Sequence, residues 1–261
     1  MSGALSGLTV IEIAERPAGE YAARLIADFG AEIIKIERPG GAPSRHIGPF
    51  AGDESTLFAW LNTGKRAQLL DLASDDGRAA LDALLARAHA LIDDHDEDWA
   101  EAHHLTARAV AAAHPHLVHC RITPFGDGAP RAWQMARPIN VMNAGGWAWH
   151  SPSESSPEKP PLKGAGRFMP DYDAGIDAAL ATLASLHRQR HTGAGQAIAI
   201  SEQQVQINRV DCVLDRMLAG EEEPSHARTR YDMGGPATAF AAKEGFVYLF
   251  MTTRAHWRGR A

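Results

Sequence analysis

Asp171, in the run M-P-D-Y-D-A-G-I-D, heads a long stretch with apolar positions at helical spacing, and Gly175 follows it four residues later. An aspartate at such a place can cap a helix, a role for which it is a preferred residue. Held in a partly desolvated pocket, the same carboxylate can act as a nucleophile. Asp173 and Asp177 are poorer candidates, since they suit the helix dipole or the solvent face. A second concentration of acids lies at Ile92 to His104, I-D-D-H-D-E-D-W-A-E-A-H-H. The expectation there is a solvated acidic turn, because the spacing with His103 and His104 matches no standard metal-ligand motif. None of the thirteen histidines stands beside a serine or cysteine in a nucleophile motif.

The elements that must position Asp171 are legible as alternating strands and helices. Leu8 to Ile13 is a β-branched, aliphatic strand, Ala18 to Phe29 has helical periodicity, and Glu32 to Glu37 alternates as a second strand. Gly30 falls where a helix end needs positive φ, and Pro39-Gly40-Gly41 ends the second strand. A further unit runs through a strand at Ala67 to Leu72, Ser74 as N-cap, a helix from about Asp76 to Arg87 and a strand at Ala90 to Asp93. Thr106 to Ala113 reads as helix and Leu117 to Ile122 as strand. Thr123 to Pro170 is expected to be a loop layer, with the polar run around Ser151 to Pro161 partly mobile. The helix Ala174 to Arg190 is expected to bury Ile176, Leu180, Leu183 and Leu186. Ala197 to Ile200 then forms a strand, and Ser201 with Gln204 fits a capping box for a helix towards Leu218. A hairpin with its turn at Lys243-Glu244-Gly245 closes the pattern. The fold class expected is α/β: a Rossmann-like parallel sheet with helices, then a loop-rich region, linking helices and the start of a smaller α+β domain. The domain boundary is placed between residues 200 and 201, with 201–261 as the linking helix and the start of the smaller domain.

Composition narrows the function. A formal charge of −6, with 32 acidic against 26 basic residues, and the lack of a long lysine or arginine run disfavour nucleic acid as a partner. The N-terminus lacks the pattern of a signal peptide, and no apolar run approaches bilayer length, so a cytoplasmic protein without a membrane partner is expected. Cys120 and Cys212 lie far apart in apolar segments and read as buried thiols, not as a disulfide or zinc ligands.

Three stretches together, L-S-G-L-T-V-I-E-I, G-A-E-I-I-K-I-E-R-P-G-G and Met169 to Ser201, resemble the family III coenzyme A transferases. That group includes formyl-CoA transferase, with the α-methylacyl-CoA racemases as relatives. The resemblance implies transfer of coenzyme A between an acyl-CoA thioester and a carboxylic acid through an aspartyl anhydride and an aspartyl-CoA thioester. It implies no permanently bound cofactor and no metal, coenzyme A entering only as substrate. Asp171 becomes the nucleophile, and Gly234 and Gly235 in Y-D-M-G-G-P the loop that closes over it. Arg16, Ala18, Arg38 and Lys65 become contacts of the coenzyme A nucleotide.

Departures from the family pattern also carry expectations. Glu20 stands where a proline is usual and would repel phosphate if it pointed inward. Asp94 and His95 replace an asparagine and a phenylalanine, and the surrounding acids are expected to weaken nucleotide binding by repulsion. Arg137 takes the place of the racemase histidine, and an arginine cannot shuttle a proton at neutral pH, so transfer is favoured over racemisation. The resemblance further implies an interlocked homodimer. Because the family pattern continues past Ala261, the alternative expectation is a shortened, inactive homologue or a half-subunit that needs a complementing chain.

Overall fold

A computed structural model describes residues 3–147, 166–209, 214, 218–220, 237–250, 255 and 258. The strands are β1 (Thr9–Glu12), β2 (Glu32–Glu37), β3 (Phe50–Ala51), β4 (Glu54–Ser55), β5 (Lys65–Leu69), β6 (Ala90–Asp93), β7 (Val118–Thr123), β8 (Gln196–Ser201), β9 (Ala237–Ala241) and β10 (Phe246–Phe250). The helices are α1 (Pro17–Asp28), α2 (Thr56–Leu61), α3 (Asp75–Leu85), α4 (Glu97–Ala102), α5 (Ala107–Ala113), α6 (Pro138–Ala144), α7 (Met169–Thr192) and α8 (Glu202–Asn208). Six strands form one parallel sheet in the order β5-β2-β1-β6-β7-β8. This is the doubly wound order, and it reverses between β1 and β6, where such sheets open a crevice at their carboxyl ends. The Rossmann-like expectation is thus met.

Two apolar clusters cover the sheet. Val10, Ile33, Ile92, Val118 and Ile122 pack against α1 and α7 on one face. Ile11, Ile36 and Leu91 pack against Leu81, Leu85 and Val110 of α3 and α5 on the other. Each fully buried aliphatic side chain of this kind contributes roughly 1.5–3 kcal/mol. Helix starts follow the sequence: Ser74 Oγ accepts from Gly77 N at 3.0 Å, and Thr106 Oγ1 from Ala109 N at 3.2 Å. Gly30 after α1 and Gly193 after α7 take φ of 97° and 72°, the left-handed region in which a Cβ is strained.

The long helix differs from its expectation in two ways. It begins at Met169, so Asp171 lies within its first turn and does not precede it. Its buried face is mostly the small-residue one, Ala174, Gly175, Ala178, Ala179, Thr182 and Ser185, joined by Leu186 with Leu183 packed alongside as expected, while Ile176 is 44% and Leu180 67% exposed. Close approach to α1 is the reason. A Cβ on Gly175 would lie 2.8 Å from the Ala18 carbonyl oxygen and 3.3 Å from Ala22 N, leaving no room for a branched chain.

The segment 123–170 is not all loop, because Arg131–Met135 forms a 3-10 turn and α6 follows with Arg137 at its N-cap. Sequence periodicity also passed over α4, whose N-cap Asp96 accepts from Trp99 N at 2.8 Å. The β9–β10 hairpin is present with Gly245 in its turn, φ 81°. Ser151 to Pro161, Cys212, Gly234 and Gly235 lie outside the described residues.

Candidate active site

The crevice at the carboxyl ends of β1 and β6 is where the chemistry-bearing residues meet. β1 leads through Glu15 and Arg16 into α1, β6 ends at Asp93 and Asp94, β8 delivers Glu202, and the first turn of α7 delivers Asp171. Asp171 is 1% exposed, and its Oδ1 stands 3.9 Å from Arg16 Nη2. That guanidinium makes a 2.7 Å ion pair with Oε1 of the fully buried Glu202. Asp94 accepts from the backbone N–H of Glu15 at 2.8 Å and of Arg16 at 2.9 Å, pinning the turn that carries the arginine.

Three buried carboxyl groups therefore face one cation. Burial raises Asp171 well above the usual carboxylate range, with Glu202 adding repulsion and Arg16 opposing it. Burial likewise raises Glu202 against the pull of Arg16, and pushes Asp94 up to about 6. Among the described residues, Asp171 Oδ2 and Glu202 Oε2 have no hydrogen-bond partner. A desolvated carboxyl group with a free oxygen and a cation alongside can accept a reacting carbonyl and be brought to its ionised form there.

The acidic segment after β6 is not a solvated turn. Asp93 and Asp94 are buried, Asp93 binding His95 Nδ1 at 2.7 Å, Glu97 pairing with Arg121 at 2.6 Å and Asp98 pairing with Arg131. Each acid of the segment is matched by a cation, an imidazole or a backbone donor, Asp96 by Trp99 N. Glu20 is also internal. It pairs with Lys35 Nζ at 3.0 Å and accepts from Ser44 Oγ at 2.7 Å, on the sheet side of α1.

Of the remaining site residues, Ala18 is fully buried beneath α7. Gly19 leaves the space that Asp94 fills, since a Cβ there would meet Asp94 Oδ2 at 2.8 Å. Arg38 is largely exposed, 3.2 Å from Glu15, and lines a cavity of about 230 Å³ with Asp71, His95, Trp99 and His103. Lys65 is buried instead, its Nζ 2.6 Å from Glu12 Oε2 and 2.7 Å from the Glu20 carbonyl. The structure thus joins Asp171 with Arg16, and keeps Arg38 and Lys65 apart from them and from each other. Glu202 was missed by the sequence reading. Its signal was an acid in the first turn of α8, directly after the buried Ser201 that ends β8.

The profile of CoA-transferase family III matches residues 5–260. The chain belongs to this family. Among relatives of known name, the succinyl-CoA:mesaconate CoA-transferase of Haloarcula hispanica is 28% identical over 98% of this chain and 66% of its own length. The succinate–glutarate CoA-transferase of Agrobacterium fabrum is 32% identical over 77% of this chain and 52% of its own. In structure, a CaiB/BaiF family protein from Brucella suis superposes with a TM-score of 0.81 at 25% identity, covering 94% of this chain and 65% of that one. The chain spans between about half and two thirds of the length of these family III transferases. Among the described residues no helix is long and apolar enough to cross a membrane, and no group of three or more His, Cys, Asp or Glu could hold a metal ion.

Proposed function

We propose that this chain transfers coenzyme A between an acyl-CoA thioester and a carboxylic acid, with Asp171 as nucleophile. The observation that carries the reading is the buried Asp171 carboxyl beside Arg16 at the switch point of the sheet. In the first step an Asp171 oxygen bonds the thioester carbonyl carbon as the C–S bond breaks, and the coenzyme A thiolate leaves with the electron pair. The thiolate then attacks the Asp171 carbonyl of the mixed anhydride, releasing the first acid as its carboxylate. The incoming carboxylate attacks the Asp171 thioester and frees thiolate again. Thiolate attack on the new acyl carbonyl releases product and restores Asp171.

Gly234 and Gly235 are proposed as the loop over Asp171, and the cavity lined by Arg38 as the place of the nucleotide. Short dicarboxylic acids are the proposed substrates, supported by relatives named for succinyl-CoA with mesaconate or glutarate. Residues 1–200, ending with the sixth sheet strand, form the proposed Rossmann-like part, and 201–261 the linking helix and the start of a second domain. A homodimer acting in the cytoplasm belongs to the same proposal, the exposed Ile176 and Leu180 on α7 being suited to a subunit contact.

Incubation with succinyl-CoA followed by hydroxylamine is expected to modify Asp171, read by peptide mass spectrometry. Asp171→Asn is expected to abolish both labelling and exchange. Transfer by Asp171→Asn at the parent rate would overturn the mechanism.

A further inference from the structure

Arg16 is the only cation within 4 Å of Asp171 among the described residues, and it is not aimed at Asp171. Its Nη2 lies 2.7 Å from Glu202 and 3.9 Å from Asp171, so the carboxylate on α8 takes the closer position. The third acid is occupied elsewhere, since both oxygens of Asp94 accept backbone N–H groups from Glu15 and Arg16. Asp173, on the same helix as Asp171, is engaged with Gln206 and Arg209. Glu20, Lys35 and Lys65 form their own buried group with Glu12. Tyr21 adds a ring packed edge-on against Tyr172, whose phenol is raised above its usual range by burial. What remains around the nucleophile is a contest of two carboxyl groups for one guanidinium.

We propose that Glu202 is a positioning residue that draws the Arg16 guanidinium away from Asp171, holding the nucleophile in its protonated, unreactive form until the pair is disturbed. This rests on the reading of Asp171 as nucleophile, and it adds a control on that residue's charge. The negative charge of Glu202 acts twice in the same direction, by repelling a carboxylate at Asp171 and by occupying the cation that would stabilise one. The neutral thioester, entering beside Arg16 with its carbonyl oxygen towards the guanidinium, would shift that cation towards Asp171, whose proton would pass to solvent water.

The test is a titration of the Asp171 carboxyl by 13C NMR, assigned by its loss in Asp171→Asn, in the parent chain and in Glu202→Gln, Glu202→Asp, Arg16→Gln and the Arg16→Gln/Glu202→Gln double variant. Glu202→Gln is expected to lower the Asp171 midpoint by at least about one pH unit, a tenfold change in proton affinity. Glu202→Asp should keep the parent midpoint, and Arg16→Gln should raise it. In the Arg16→Gln background the effect of Glu202→Gln should shrink to the part due to repulsion alone. An Asp171 midpoint that is unmoved or raised in Glu202→Gln overturns the proposal, as does a shift of equal size with and without Arg16. If Glu202→Gln does not fold, the Glu202→Asp and Arg16→Gln titrations decide. Hydroxylamine labelling over the same pH range separates the two readings: titrations as expected without Asp171 labelling refute covalent catalysis alone.

Discussion

Replacing Asp94 with asparagine sets two opposing forces against each other at one buried group. Burial disfavours its charge, while the N–H groups of Glu15 and Arg16, at 2.8 and 2.9 Å, favour it. The balance pushes the folded-state pKa from its ordinary 3.8 to about 6. A carboxyl group raised in this way binds its proton more tightly in the folded chain than in the unfolded one. Its contribution to stability is fully present below 3.8 and is lost as pH rises towards 6. The loss is about two pKa units, roughly 3 kcal/mol at ~1.4 kcal/mol per unit. Asparagine cannot ionise and loses nothing over that window, but it keeps one acceptor oxygen where the parent has two, at a cost of about 1–3 kcal/mol. Asp94→Asn is therefore expected to be less stable than the parent near pH 4 and to equal or exceed it near pH 7. Urea unfolding followed by circular dichroism at half-unit pH steps measures the difference. A difference that stays flat, or moves against the variant as pH rises, would show that the two backbone donors and Arg16 outweigh burial.

Gly175→Ala should destabilise by about 1–3 kcal/mol in urea unfolding despite the better helix propensity of alanine, because its Cβ meets the backbone of α1. Lys35→Met should cost about 3–5 kcal/mol, or abolish soluble expression, since it leaves Glu20 buried without its cation and Glu12 with Lys65 alone. Arg38→Ala should raise the KM for succinyl-CoA about tenfold with little change in kcat, the loss of one charge-assisted contact. Equal KM values would remove Arg38 from the nucleotide site.

Most of the sheet was legible because β1, β2, β6 and β7 carry β-branched or aliphatic runs, whereas the polar edge strand β5, K-R-A-Q-L, begins two residues before the expected Ala67. Asp171 was singled out by the family resemblance, since its spacing alone fits a helix cap as well. Its depth was not legible, because burial at a switch point depends on β1, β6 and β8 converging from positions up to about 190 residues apart in the chain. The same non-locality hid the contact of Glu202 with Arg16 and took Asp93 and Asp94, the first acids of an apparently solvated run, into the interior. Along α7 the error had a different origin. Helical periodicity favours the largest apolar residues for the core, but the partner here is another helix at close range, and the small residues won that face.

The buried group of Glu12 on β1, Lys35 on β2, Lys65 on β5 and Glu20 on α1 has a consequence for how the chain finds its sheet. Glu12 and Lys35 are direct partners across the β1–β2 ladder, on the face covered by α1. Sliding β2 by one residue against β1 would turn Lys35 to the opposite face, among Ile11, Ile36 and Leu91, leaving Glu20 without its ammonium and Glu12 with Lys65 alone. An apolar strand run such as I-I-K-I would otherwise tolerate that slip with modest loss. With the Lys35 ammonium and the Glu20 carboxylate each stranded in a dry layer, the mispaired sheet carries a penalty of several kcal/mol that the correct pairing escapes. Two charges placed among aliphatic neighbours thus make the alignment of β1 with β2 close to all-or-none, and with it the position of the turn that presents Arg16.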